Sequence, residues 1–119
     1  MKKTLVLGAS TNPDRYSNRA TRMLAQHGHE VIPVGIKAGH IDDIEIITKP
    51  ADWKDIDTVT LYLRPALQAS YYDYIIGLRP NRIIFNPGTE NPVLSQRARD
   101  AGIATEAACT LVLLSTGQY

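Results

Sequence analysis

The sequence predicts one α/β domain built on a doubly wound, five-stranded parallel sheet. Three observations carry this. Short apolar runs of strand type alternate with segments whose apolar residues recur at helical spacing. Glycine, proline and asparagine fall between those segments, where the chain must turn. The 119 residues suffice for one domain but not two, and a hydrophobic content of 44% supports a core without a disulfide staple.

The elements follow in order. Strand one is Lys3 to Gly8. Helix one runs from Ser17, a good N-cap residue, to His27. Ala20, Met23, Leu24 and His27 share one of its faces, and Gly28 ends it. Strand two is Glu30 to Gly35. Residues 36–56 are the least regular: Ile44 to Ile47 reads as a short extra strand and Pro50 to Trp53 as one helical turn. Strand three is Thr58 to Leu63. Pro65 then opens a helix whose buried stripe is Leu67, Tyr71, Tyr74, Ile75 and Leu78. Strand four is Arg82 to Asn86. Asn91 and Pro92 supply the cap and first-turn proline of a helix carrying Leu94, Ala98 and Ala101, and Gly102 ends it. Ile103 to Glu106 is strand five, and Cys109 to Ser115 is a closing helix. Right-handed crossovers, with the winding reversed after strand three, give the order 3-2-1-4-5. Strands one and four then flank the switch point, and ligands of such sheets bind outside the carboxyl ends of the strands there.

Bulk properties narrow the partners. A net charge of +1 gives no general attraction to nucleic acid or membrane. Cys109 is the only cysteine, so no intramolecular disulfide forms and a reducing compartment fits. Leu5-Val6-Leu7 is too short for a signal-peptide core, and no apolar run reaches membrane-spanning length. A soluble, cytoplasmic protein is expected. A homodimer is compatible with so small a domain, although no residue pattern marks an interface.

Two loops carry the ligand signal. Gly8-Ala9-Ser10 follows strand one and Pro87-Gly88-Thr89 follows strand four. Each leads into a helix whose free backbone N–H groups can face an anion. The dinucleotide fingerprint asks for three spaced glycines, and here Gly8 stands alone. Strand two ends in Pro33-Val34-Gly35-Ile36-Lys37, with no carboxylate for a ribose diol. A lysine there favours a phosphorylated ribose. NAD is disfavoured, and NADP and coenzyme A remain. Arg15, Lys37 and Arg64 all fall near strand ends on the expected crevice side, where charge-assisted bonds to phosphate are the strong ones.

The chain resembles the small stand-alone CoA-binding proteins, whose Rossmann-like fold is similar to the CoA-binding domain of the succinyl-CoA synthetase α-subunit. The resemblance covers nearly the whole sequence. Val6-Leu7-Gly8-Ala9-Ser10, Pro13, Arg15, Ser17-Asn18 and Val31-Ile32-Pro33-Val34 carry it at family-like spacing. Lys37, Asn86-Pro87-Gly88 and Ala101-Gly102-Ile103 before Cys109 add to it. By position it implies that Gly8, Ala9 and Ser10 approach a pyrophosphate. Arg15 reaches a phosphate, with Ser17 beside it and Asn12 and Tyr16 in the same ligand-binding loop. Pro33, Val34 and Lys37 line the adenosine end, Leu63 and Arg64 flank the adenine or ribose phosphate, and Asn86, Pro87 and Gly88 border the pantetheine path. The chain departs from the family at Ile84-Phe85 before the fourth loop and at Ala108, where a basic residue is common.

The remaining chemistry-bearing residues have plainer readings. Cys109 lies between Ala107-Ala108 and Thr110-Leu111, with no base beside it in sequence, and is expected to pack rather than attack. His27, His29 and His40 lack a converging cysteine or carboxylate and read as helix-end and surface histidines. Asp42, Asp43 and Glu45 read as a solvated loop, and Tyr71, Tyr72 and Tyr74 as helix-on-sheet packing. Glu106 reads equally as a ligand contact or as a polar residue at the crevice rim. The expected function is binding of CoA or an acyl-CoA by a regulatory or carrier module without catalysis of its own. The alternatives are an NADP-dependent oxidoreductase and a scaffolding subunit that reads a protein partner.

Overall fold

The computed structural model describes residues 1–119. Five parallel strands form the main sheet: β1 (Thr4–Leu7), β2 (Val31–Val34), β5 (Thr58–Leu61), β6 (Arg82–Phe85) and β7 (Ala104–Ala107). Between β2 and β5 lies a small antiparallel hairpin, β3 (His40–Ile41) with β4 (Ile44–Glu45). The helices are α1 (Tyr16–Gln26), α2 (Pro65–Gln68), α3 (Tyr72–Gly77), α4 (Pro92–Asp100) and α5 (Thr110–Ser115).

The α/β class and the five parallel strands are as expected, but the strand order is not. The sheet runs β2-β1-β5-β6-β7, which is 2-1-3-4-5 in its five strands rather than 3-2-1-4-5. Strand β5 pairs directly with β1, Thr4 opposite Thr58 through Leu7 opposite Leu61. The reason lies in the irregular segment. Ile47 bridges Val34 in parallel, its N–H donating to the Pro33 carbonyl and its C=O accepting from Gly35, so it occupies the end of β2's outer edge. The following residues return across one sheet face, where Trp53 and Ile56 pack on the core, and the chain comes up beside β1. The winding therefore reverses after the second strand, and the switch point lies between β1 and β5.

Alternation along the strands gives two unlike layers. Leu5, Leu7, Ile32, Val34, Val59, Leu61, Ile83 and Phe85 face a large apolar core closed by Ile75, Leu78, Leu94 and Ala98. The other face, under α1 and α5, is smaller and partly polar: Val6, Leu24 and Leu114 cluster there, while Thr4, Thr58, Thr60 and Thr110 are buried.

Several local expectations also change. Arg15, not Ser17, is the N-cap of α1, because its N–H closes a turn onto the Asn12 carbonyl and the helix starts at Tyr16. The helix after Pro65 breaks into α2, a 3-10 turn at Ala69–Tyr71, and α3. The side that faces inward also differs from the expected stripe: Leu67 is exposed and Gln68 is fully buried. Residues 50–53 form no helix, and His27 lies exposed at the end of α1. No helix is long and apolar enough to cross a membrane.

Candidate functional site

A cleft of about 470 Å³ opens at the carboxyl ends of the strands, over the switch point. Gly8, Ala9, Ser10 and Thr11 form one wall, with Arg15, Tyr16 and Ser17 where α1 begins. Ile36 and Lys37 close the β2 side, and Tyr62, Pro87 and Thr89 close the other.

Close backbone contacts shape this cleft. Gly8 has φ +106°, and a Cβ there would lie 3.1 Å from the Tyr62 carbonyl carbon, so the turn after β1 can press against the end of β5. A Cβ on Gly35 would sit 2.5 Å from the Ala9 oxygen, which locks the turns after β1 and β2 together. The Gly8 and Ala9 N–H groups both donate to the Val34 carbonyl at 2.9 Å. Backbone donors for an anion therefore begin later, at Ser10 and Thr11, whose N–H groups bond to no other protein group. The first turn of α1 adds more, because no side chain caps it. Asn18 and Arg22 hold this loop from behind. Asn18 Nδ2 donates to the Ser10 carbonyl at 2.9 Å, while Arg22 donates to Asn18 Oδ1 at 2.8 Å and to the Pro13 carbonyl at 3.1 Å.

The cleft is cationic without counter-charge. Arg15 and Lys37 are exposed, neither forms a salt bridge, and no carboxylate or imidazole lines the cavity. The Tyr62 hydroxyl is buried beside the Thr60 and Thr110 hydroxyls without a well-formed hydrogen bond to either, and burial outweighs their lowering effect and pushes its pKa up to about 12. It stays protonated at neutral pH and cannot serve there as a base. The cleft can therefore attract and orient an anion, and none of its side chains is an ordinary proton acceptor.

A second, apolar pocket of about 240 Å³ adjoins the first and shares Tyr16, Tyr62 and Pro87 with it. Asn86, Cys109 and Leu111 complete its wall. The polar atoms of Asn86 turn away into the protein. Its Nδ2 donates to Thr60 Oγ1 at 2.7 Å and to the Leu61 carbonyl at 2.8 Å, and its Oδ1 accepts from the Thr110 N–H at 2.9 Å. Gln68 makes a similar clamp between the loops after β5 and β6, donating to the Leu63 carbonyl at 2.7 Å and the Thr89 carbonyl at 2.8 Å.

Eight of the residues expected at the site line the main cleft: Gly8, Ala9, Ser10, Arg15, Tyr16, Ser17, Lys37 and Pro87. Asn12 lies beside it, its side chain accepting from the Asp14 N–H within the loop. Pro33 and Val34 are buried in β2, and Ile36 with Lys37 takes the lining position expected of them. Leu63 packs on the large core. Arg64 is exposed as the N-cap of α2 and does not line the cleft, so the three cations do not converge as a set. The exposed Gly88 donates its N–H to Glu90. Glu106 lies outside the cleft and pairs with Arg82 at 3.2 Å. Thr89, named with its loop but not as a site residue, lines the cleft, and sequence reasoning missed Thr11, Ile36 and Tyr62 there and Leu111 in the apolar pocket. With strand three placed beside strand one, Tyr62 is the residue that follows it at the switch point.

A CoA binding domain family matches residues 2–115. A crystal structure of an uncharacterized protein shares 48% identity with the chain, with a TM-score of 0.98, over 100% of this chain and 98% of the other. The structure of cell-free ID.343 from Thermus thermophilus has 23% identity and a TM-score of 0.86, over 99% and 90% of the two chains. A hypothetical protein from Pyrococcus horikoshii OT3 has 27% identity and a TM-score of 0.81, over 94% and 81%. No functionally curated protein matches. With its glycine turn, uncapped helix and cationic cleft at the switch point, and with the family match over nearly its whole length, the chain belongs to the CoA binding domain family.

Proposed function

We propose that the chain binds CoA or an acyl-CoA across the β1/β5 switch point and acts as a regulatory or carrier module without catalysis of its own. The observation that carries this reading is the pairing of Arg15 and Lys37, both free of counter-charge, across one cleft floored by unbonded backbone N–H groups. The pyrophosphate lies over Ser10 and Thr11 and against the start of α1, where the helix dipole favours negative charge. Lys37, following β2, meets the phosphate on the ribose. The exposed Ile36 beside it gives the adenine an apolar surface. The single half-buried Cys109 suits the reducing conditions of the cytoplasm.

Calorimetric titration of two variants tests the placement. A hydrogen bond to a charged group contributes about 1.5–3 kcal/mol. Arg15→Ala and Lys37→Ala should therefore each weaken CoA binding by roughly 10- to 150-fold. Lys37→Ala should in addition bind CoA and 3′-dephospho-CoA alike, whereas the unmodified chain prefers CoA. Unchanged affinity in Arg15→Ala would overturn the placement of the pyrophosphate. An NADP-dependent oxidoreductase is the second reading, since Lys37 suits any phosphorylated ribose. The absence of a carboxylate or imidazole among the cleft residues weighs against proton-coupled chemistry there.

A further inference from the structure

The smaller apolar pocket is separate from the phosphate cleft in chemistry but continuous with it in space. Tyr16, Tyr62 and Pro87 form the shared wall. The cationic Lys37 follows β2 at one side of the sheet, and Cys109 follows β7 at the other. Thr110 bonds Thr60 and Asn86, so the pocket beside Cys109 sits over the ends of β5 and β6. With strands about 4.8 Å apart, it lies two to three strand spacings from the end of β2. A ligand spanning the two is elongated, anionic at one end and apolar at the other.

We infer that this pocket receives the thioester end of the ligand and selects a short acyl group. The inference rests on the CoA reading above. At about 240 Å³ the pocket is smaller than the ~300–1,000 Å³ of sites that hold an entire ligand, so it takes only one end. Its far wall is Cys109 and Leu111, at the start of α5, and this wall cannot recede cheaply. The Thr110 N–H is tied to Asn86 Oδ1 at 2.9 Å, and the Thr110 and Thr60 hydroxyls bond each other at 2.8 Å, all of them buried. A short acyl chain gains apolar contact with Tyr16, Pro87 and Leu111. A long one fills the pocket and sends its remaining carbons into water, where they gain nothing.

The test is a titration series on the full chain with CoA, acetyl-CoA, butyryl-CoA and octanoyl-CoA. Each buried methylene adds roughly a fourfold gain in affinity. From acetyl to butyryl the affinity should rise about 15-fold, and octanoyl-CoA should bind no tighter than butyryl-CoA. Leu111→Trp should fill the pocket and abolish the gain, leaving butyryl-CoA no tighter than CoA in that variant. Leu111→Ala should let octanoyl-CoA overtake butyryl-CoA. If CoA binds but acyl groups make no difference, or if affinity climbs steadily through octanoyl, the inference fails while the CoA reading stands. If CoA itself does not bind, the CoA reading fails, and the inference with it. Should a variant not fold, the series on the unmodified chain decides alone.

Discussion

Asn86 offers the sharpest test of how the cleft is held. It is 2% exposed, and its side chain makes three hydrogen bonds of 2.7–2.9 Å, to Thr60, Leu61 and Thr110. Each such bond contributes about 1 kcal/mol net, but removing one partner strands the other at a cost of about 1–3 kcal/mol. Asn86→Ala orphans the buried Thr110 N–H and the Leu61 carbonyl together, so the expected loss is about 3–5 kcal/mol. That is a large fraction of the ~5–15 kcal/mol by which such domains are stable. The assay is urea unfolding followed by far-UV circular dichroism. For a slope near 1.5 kcal/mol/M the midpoint should fall by roughly 2–3 M, with the slope itself unchanged. Asn86→Asp keeps an acceptor for Thr110 but loses both donors and buries a charge, so at pH 7 it should be at least as damaging. It should recover stability as pH falls and the new carboxyl takes up a proton. A loss under about 1 kcal/mol in Asn86→Ala would refute the reasoning, because water would then be replacing the network.

Two other expectations follow from the same contacts. Tyr62, held neutral up to about 12, should make the fold lose stability between pH 10 and 12, since the unfolded phenol ionises there and the folded one does not. The two-unit shift corresponds to about 2–3 kcal/mol, so Tyr62→Phe should lessen that alkaline loss and be neutral or stabilising at pH 7; thermal melts at both pH values check this. Gly35→Ala forces a Cβ to 2.5 Å from the Ala9 oxygen, so the turn after β1 must shift. The cost should be about 1–3 kcal/mol by thermal melting, with weaker anion binding in the cleft, and an unchanged melt would show that the two turns are not locked together.

Much of the fold was legible because its signals are local. Apolar runs marked all five sheet strands within one or two residues, and Asn91 with Pro92 marked the start of α4, where Asn91 Oδ1 does cap Val93 and Leu94. Strand order was not legible because it depends on residues 36–56, where the decisive event is one parallel bridge between Ile47 and Val34. The turn that opens the cleft could be read from Gly8, whose positive φ brings it against the end of β5. The placement of Arg64 and Tyr62 could not, because both follow from which strand neighbours β1. Gln68 was hidden for a different reason. A glutamine in a helical stripe reads as surface, yet Gln68 lies three, four and seven residues before Tyr71, Tyr72 and Ile75, which pack on the core, and it is buried where it bonds Leu63 and Thr89.

The central claim is that the cationic cleft at the switch point binds CoA. Calorimetric titration of the full chain with CoA, with NADPH and NADH run in parallel, tests it most directly. The account predicts micromolar binding of CoA and no heat from either nicotinamide cofactor. Binding of NADPH without CoA would contradict it and move the chain to oxidoreductase chemistry. Silence from all three would contradict it as well and turn attention to a protein partner.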